Sequence, residues 1–214
     1  MKGSLQIKLC GFSEEDTINF ASNFNINFIG FVFYNKSPRN VDINKIPQIT
    51  KNIPQNIKKV AVIIDADNIT ISQIIAKLKP DFLQLHGDES LKRTKEIKEL
   101  FKIPIIKAFR ISSKKDMQQI KAFEEIADYF LFDAKINGQK GGTGKSFNWN
   151  ILKELNTTKE WFLSGGINVD NFKEALKITN AKMIDLSSAL EEVKGVKSKK
   201  LIEEFMTQIK EEIN

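Results

Sequence analysis

Short apolar runs recur along the chain at regular intervals, and amphipathic stretches separate them. Most of these runs are four or five residues long and almost continuously apolar, which is typical of strands that are buried on both faces of a sheet. The pattern predicts eight strands, at residues 5–9, 28–32, 60–64, 82–85, 105–108, 129–132, 161–163 and 183–186.

The stretches between the apolar runs have the spacing of helices with one apolar face. In the third stretch, for example, Ile71, Ile74 and Leu78 fall on a single stripe of a helix. The pattern predicts eight helices, at residues 14–24, 41–52, 69–78, 90–101, 114–123, 149–155, 169–178 and 198–213.

A strand followed by a helix therefore repeats eight times, at a spacing of about 23 to 28 residues, as expected when each parallel strand needs a crossover helix. The alternation predicts an α/β fold. An open doubly wound sheet would show the same alternation, but eight regular units without extra strands favour a closed barrel. We expect residues 1–214 to form one (β/α)8 TIM barrel domain, with no second domain or linker.

The amino-acid composition excludes several classes of ligand and binding partner for this protein. The formal net charge of +6 favours anionic ligands, but the lysines are scattered rather than clustered, so we expect no nucleic-acid partner. One cysteine and one histidine exclude an internal disulfide and a paired-histidine zinc site. No apolar window approaches the roughly 18 residues of a membrane span. We expect a cytoplasmic protein that has no membrane partner and none of the metal sites that need paired cysteines or histidines.

Polar residues directly after the strands mark the face on which a site forms in either fold. Cys10 ends the first strand, where Lys8 or a helix N-terminus would raise its thiolate fraction; a small buried structural thiol is the alternative. Asp133 follows the apolar run 129–132, and such a partly desolvated carboxyl suits a general acid. A helix N-cap is less favoured for Asp133, because the next eleven residues contain four glycines.

Three further polar residues follow the second and fourth strands. Arg39 lies in a loop, where its guanidinium is well placed to hold a carboxylate or a phosphate with two parallel hydrogen bonds; a solvated loop arginine is the alternative. Gln84 and His86 share one side of their strand by alternation, and a hydrogen-bonded structural histidine is the alternative for His86.

The last two strands end in small residues. Gly165 and Gly166 follow the seventh strand, and Ser187 and Ser188 follow Asp185 in the eighth. Backbone N–H groups and hydroxyls without side-chain bulk suit the phosphate site that TIM barrels commonly have at this position.

The segment 140–146 (KGGTGKS) looks like a nucleotide-binding phosphate loop. The general pattern requires glycine at the position of Gln139, and only 68 residues follow Ser146, too few for the rest of a nucleotide-binding sheet. A glycine-rich loop over the active site is the better interpretation.

Together these residues resemble the phosphoribosylanthranilate isomerase family of tryptophan biosynthesis, in family order and over nearly the whole chain. The shared motifs are Lys8-Leu9-Cys10-Gly11, Gly30-Phe31-Val32-Phe33-Tyr34 with Ser37-Pro38-Arg39, Gln84-Leu85-His86-Gly87, Phe132-Asp133, Gly141-Gly142-Thr143-Gly144 with Phe147 and Trp149, Leu163-Ser164-Gly165-Gly166, and Asp185 with Ser187-Ser188.

The resemblance implies a TIM barrel that catalyses the Amadori rearrangement of N-(5-phosphoribosyl)anthranilate without a cofactor, as a monomer or homodimer. It implies Asp133 as general acid, Cys10 as general base and Arg39 as the ligand of the anthranilate carboxylate. The other residues that it implies in substrate binding are Gln84, His86, Gly142, Gly165, Gly166, Asp185, Ser187 and Ser188.

The chain departs from the family pattern at a few positions. Ala189 stands where the family usually has glycine, and would cost about 1 kcal/mol if that position needs a positive φ. Asn148 and Ser198 each replace a usual aspartate. Two other interpretations stay open: another barrel enzyme acting on a phosphosugar, for which a Lys–Glu pair or metal-binding histidines would be expected, and a phosphate-binding barrel without catalysis.

Overall fold

The computed structural model describes residues 5–134 and 148–213. Eight parallel strands close into a barrel in sequence order, and β1 pairs with β8, so that Lys8 lies opposite Asp185. The predicted barrel is confirmed. The strands are β1 (Gln6–Cys10), β2 (Phe28–Phe33), β3 (Lys58–Ile63), β4 (Phe82–Leu85), β5 (Ile105–Ile111), β6 (Tyr129–Ala134), β7 (Trp161–Leu163) and β8 (Met183–Leu186).

Six α-helices surround the strands within the described residues: α1 (Glu15–Ala21), α2 (Ile46–Ile49), α3 (Asn68–Leu78), α4 (Leu91–Phe101), α5 (Phe172–Thr179) and α6 (Lys199–Ile213). None of the helices in this part of the chain combines the length and the apolar character needed to cross a membrane.

Two of the predicted helices are wrong in type. The segments 114–123 and 149–155 form short 3₁₀ helices, Lys114–Met117, Ile120–Phe123 and Trp149–Glu154. Their buried residues lie three apart, Ile120 with Phe123 and Trp149 with Leu152. A spacing of three residues fits one 3₁₀ turn as well as it fits an α-helix, so the apolar pattern could not separate the two.

The sheet separates two apolar layers, because successive side chains of a strand point to opposite faces. The outer layer packs between the strands and the helices. The inner layer fills the barrel, where the rings of Phe28 and Phe162 meet edge to face with centroids 5.1 Å apart. Cys10 belongs to this inner layer, so the thiol faces the inside of the barrel rather than the helices.

A small hairpin that the sequence did not predict lies between β8 and α6. Its strands, β9 (Glu191–Val193) and β10 (Val196–Lys197), pair antiparallel. They are too short to show an alternating pattern, and Val193 and Val196 are exposed. The hairpin places Glu191 and Lys197 in a buried ion pair, with 2.6 Å between Lys197 Nζ and Glu191 Oε1.

Candidate active site

A cavity of about 450 Å³ opens at the carboxyl ends of the barrel strands. It brings together ten of the residues predicted from the sequence: Cys10, Arg39, Gln84, His86, Asp133, Gly165, Gly166, Asp185, Ser187 and Ser188. The eleventh, Gly142, lies outside the described residues, as does the 140–146 segment. Residues from six different strands or their following loops thus converge on one space.

Cys10 is the last residue of β1 and is only 5% exposed. Its sulfur fits because Gly30 lies opposite it on β2; a β-carbon at position 30 would stand 2.6 Å from Cys10 Sγ. Burial raises the pKa of the Cys10 thiol, and the positive charge of Lys8 opposes that rise. Cys10 is therefore a shielded thiol that depends on nearby cations to become a thiolate.

Lys8 lies two residues before Cys10 on the inner face of β1 and is completely buried. Its Nζ is 2.8 Å from Oδ1 of Asp185, and the other oxygen of Asp185, Oδ2, accepts from Ser164 Oγ at 3.2 Å. Burial by itself lowers the pKa of Lys8, but Asp185 holds the proton and the pKa ends above its ordinary value. Asp185 thus lines the cavity with both oxygens already bonded to protein groups.

Asp133 is buried in β6 on the opposite side of the mouth and contacts His86, with 3.2 Å between Nε2 and Oδ2. The side-chain amide nitrogen of Gln84 donates to Nδ1 of His86 at 2.8 Å. Both ring nitrogens of His86 are thus engaged, Nδ1 by Gln84 and Nε2 by Asp133. Gln84 and His86 share one side of β4, as the sequence predicted, and together they orient the carboxyl of Asp133.

Arg39 reaches the cavity but is already held by an acidic residue. Its Nε donates to Oε1 of Glu191 at 2.6 Å and its Nη2 to Oε2 at 2.7 Å. Glu191 also accepts from Lys197 and from the backbone N–H of Gly195. Although burial opposes it, the hydrogen bond from Arg39 lowers the pKa of Glu191. Sequence reasoning missed Glu191 and Lys197, because the 152 residues between Arg39 and Glu191 leave no local signal.

The glycines that line the cavity after β7 adopt a backbone conformation that favours glycine. Gly165 and Gly166 both adopt positive φ, +86° and +74°, a conformation that other residues reach only with strain. Ala189 lies in a 3₁₀ turn, Ser188–Leu190, and is not among the described non-glycine residues with positive φ. The strain considered for Ala189 is therefore absent.

Two lysines that the sequence did not single out also line the cavity. Lys36 lies in the loop after β2, and Lys194 lies in the turn between β9 and β10. With Arg39 they give this side of the cavity a cationic rim. Within the part of the chain that the structure describes, no group of three or more His, Cys, Asp or Glu residues is placed to hold a metal ion.

The comparison with known proteins agrees with this geometry. Residues 7–208 match the family model described as N-(5'phosphoribosyl)anthranilate (PRA) isomerase. The chain belongs to the PRA isomerase family. The family expected from the strand-end motifs is thus confirmed.

Curated PRA isomerases match the chain along most of its length. The enzyme of Sinorhizobium fredii is 37% identical over 209 residues, which cover 96% of this chain and 93% of the relative. That of Rhizobium leguminosarum bv. trifolii is 39% identical over 208 residues, covering 96% and 94%.

Solved PRA isomerase structures share the fold. The enzyme of Thermotoga maritima superposes with a TM-score of 0.87 at 28% identity, covering 97% of this chain and 99% of the other. A PRA isomerase in complex with reduced 1-(o-carboxyphenylamino)-1-deoxyribulose 5-phosphate gives a TM-score of 0.82 at 25% identity, again covering 97% and 99%.

The close approach of Gly30 to Cys10 leads to a first prediction. We expect Gly30→Ala to lower turnover and to destabilise the fold by about 1–3 kcal/mol, because the added methyl group overpacks the inner layer and displaces the sulfur. Thermal unfolding and initial rates measure the two effects.

The Gly30→Ala/Cys10→Ala double variant is the control. Without the sulfur the stability loss should shrink, since the two sites are in contact and couple. An equal loss in both backgrounds, or wild-type turnover by Gly30→Ala, would contradict the steric explanation.

Proposed function

We propose that this cavity catalyses the Amadori rearrangement of N-(5'-phosphoribosyl)anthranilate to 1-(2-carboxyphenylamino)-1-deoxyribulose 5-phosphate, with Asp133 as the acid and Cys10 as the base. The observation that carries the proposal is the convergence of these two buried groups, from β6 and β1, on one cavity. The strands β7 and β8 lie between β6 and β1 in the barrel. The two groups are therefore separated across the mouth, and a sugar can lie between them.

The first half of the reaction needs an acid. Asp133 donates a proton to the ring oxygen of the ribose, the bond between C1 and that oxygen breaks, and the lone pair of the anthranilate nitrogen forms a C=N bond. The carboxyl is fixed for this transfer because His86 holds one of its oxygens and Gln84 fixes His86. A held acid group lowers the entropic cost of the transfer.

The second half needs a base. The Cys10 thiolate removes the proton from C2 of the opened sugar, and the electron pair moves toward the positively charged C=N group. The product of this step is an enol-amine, which tautomerises to the amino-ketone. All atoms of the substrate are retained, so the step requires no redox partner.

The two anionic groups of the substrate fit groups that line the cavity. The positive-φ glycines, Gly165 and Gly166, with Ser187 and Ser188 hold the phosphate. The carboxylate of the anthranilate binds Arg39, which lines the same cavity and which Glu191 fixes through Nε and Nη2.

The decisive experiment is a turnover assay with purified protein. Phosphoribosylanthranilate is fluorescent, and we expect its fluorescence to fall when the protein is added. If the protein binds a product analogue but leaves the fluorescence unchanged, the isomerase function is wrong and a phosphate-binding barrel without catalysis is the better interpretation.

The same proposal covers the setting of the reaction. We infer a cytoplasmic enzyme whose partner is the small phosphosugar rather than a nucleic acid or a membrane, and which works as a monomer or a homodimer. A solved relative from Thermotoga maritima is described as a dimeric enzyme from which monomers were generated. Sedimentation of this protein decides between the two states.

A further inference from the structure

The reaction as derived uses Cys10 and Asp133 but leaves a fully buried cation unexplained. Lys8 has 0% exposure and points into the barrel beneath Cys10, since residues two apart on a strand share a face. An ammonium group in such a place is costly unless it is paired. Interactions of Lys8 within the site must therefore offset the free-energy cost of burying its charge.

The ammonium of Lys8 is held by Asp185 of the neighbouring strand. The two residues are Cα partners across the closing seam of the barrel, and their side chains form a 2.8 Å ion pair. Ser164, directly after β7, donates to the other oxygen of Asp185. All three side chains are buried, and this chain of contacts fixes the position of the charge.

Three charged groups act on the thiol from the elements around it. Lys8 on the same strand and Lys197 on β10 lower the pKa of Cys10, Asp185 on β8 raises it, and burial raises it most. Lys197 is itself engaged by Glu191 at 2.6 Å, and burial lowers its pKa. Lys8 has the larger effect of the two cations, and it acts through both its charge and a side-chain hydrogen bond to the thiol.

We propose that Lys8, fixed by Asp185 and Ser164, is the positioning residue that gives Cys10 enough thiolate character to act as a base. The inference rests on the proposed function only in giving Cys10 the role of a base. The effect of Lys8 on the pKa of the thiol does not depend on the substrate. Asp185 holds Lys8 through Oδ1, and Ser164 fixes Asp185 through Oδ2.

A second buried lysine–carboxylate ion pair lies elsewhere in the barrel and provides a control for the pair of Lys8 and Asp185. Lys107 on β5 is also buried and forms a 2.7 Å ion pair with buried Glu89. It also donates to the backbone carbonyl of Gly87. This pair ties the loop after β4 to β5 and does not appear among the charges that act on Cys10. Neutralising Lys107 therefore reproduces the loss of a buried ion pair without the loss of a charge beside the thiol.

Direct titration of the thiol tests the proposal. Cys10 is the only cysteine in the chain, so the ultraviolet absorbance of thiolate and the rate of alkylation by iodoacetamide, each measured against pH, report on it alone. We expect Lys8→Met to raise the pKa of Cys10 by about one unit or more. We expect Lys107→Met to leave it unchanged while losing comparable thermal stability.

Kinetics provide a second readout. In Lys8→Met the limb of the kcat/KM pH profile that titrates with the thiol should move to higher pH by the same amount as the thiol titration, with little change in KM. In Lys107→Met the pH profile should keep its wild-type position. A role that is merely structural would lower the amount of folded enzyme in both variants without moving either profile.

The Lys8→Gln variant keeps the proposal falsifiable if Lys8→Met does not fold. It keeps a hydrogen-bond donor for Asp185 but loses the positive charge, so the pKa of Cys10 should rise as in Lys8→Met; no change or a fall would overturn the proposal. An unchanged thiol pKa in folded Lys8→Met would also overturn it. Because the titration needs no substrate, a protein that shows these shifts but no isomerase turnover would refute the proposed function alone.

Discussion

Cys10→Ala is expected to lose turnover by roughly 10²–10⁴-fold while the barrel stays folded, because the variant lacks the group that removes the proton from C2. The substitution deletes one sulfur atom, keeps the β-carbon and adds no polar group to the inner layer. The fluorescence assay gives the rate, and the binding of a product analogue shows whether the cavity is intact.

The control variant is Val32→Ala, which removes apolar atoms from the same cavity without touching a titratable group. It should cost stability, as core truncations do, and should retain most of the turnover. Near-wild-type turnover by Cys10→Ala would remove Cys10 from the mechanism, and a loss of similar size in Val32→Ala would mean that packing, not proton transfer, explains the result.

The pH dependence of the wild-type enzyme follows from the same residue. Since burial raises the pKa of the Cys10 thiol, the thiolate is the minor form at neutral pH. The base is the deprotonated form of Cys10 and the acid is the protonated form of Asp133, so kcat/KM should follow a bell-shaped profile with pH. One limb of that profile should titrate with the pKa that is measured directly for the thiol.

Asp133→Asn is expected to lower turnover by a similar factor of roughly 10²–10⁴. An amide has nearly the same shape as the carboxyl and can keep the contact with Nε2 of His86, but it has no acidic proton to give to the ribose oxygen. The effect should appear in kcat, measured at saturating substrate, while the affinity for a product analogue changes little.

Asp128→Asn is the matched control, since Asp128 stands directly before β6 at the other end of the barrel from Asp133. It accepts from Lys98 and from the backbone N–H of Ile105, each at 2.8 Å. The same chemical change there should cost stability and spare kcat. If the two variants lose kcat equally, a distorted β6 and not the missing acid is responsible.

The barrel could be predicted from the chain because its strands are buried on both faces and so appear as uninterrupted apolar runs. The 3₁₀ segments could not be distinguished, since Ile120 and Phe123 are spaced for either kind of turn. The hairpin of β9 and β10 was missed for another reason. Its strands are too short to show an alternating pattern, and Glu191 ties them to Arg39, 152 positions away in the sequence.

In the candidate site, too, some features could be predicted from the sequence and others could not. Cys10, Asp133 and the Gln84–His86 pair could be predicted, because the ends of parallel strands meet on one face of a barrel. The order of the hydrogen bonds could not, as it depends on which atoms come within reach after closure. The bond between Asp185 and Lys8 joins residues 177 positions apart, and only the pairing of β1 with β8 brings them together.

The pairing of Arg39 with Glu191 has a consequence for how the protein is made. During synthesis Arg39 emerges 152 residues before its partner, and Lys8 emerges 177 residues before Asp185. A nascent chain that ends before β8 therefore holds two cations without their counter-charges, a state that disfavours their burial. The segment that closes the barrel against β1 thus contains the residue that neutralises Lys8 and is followed by the one that neutralises Arg39.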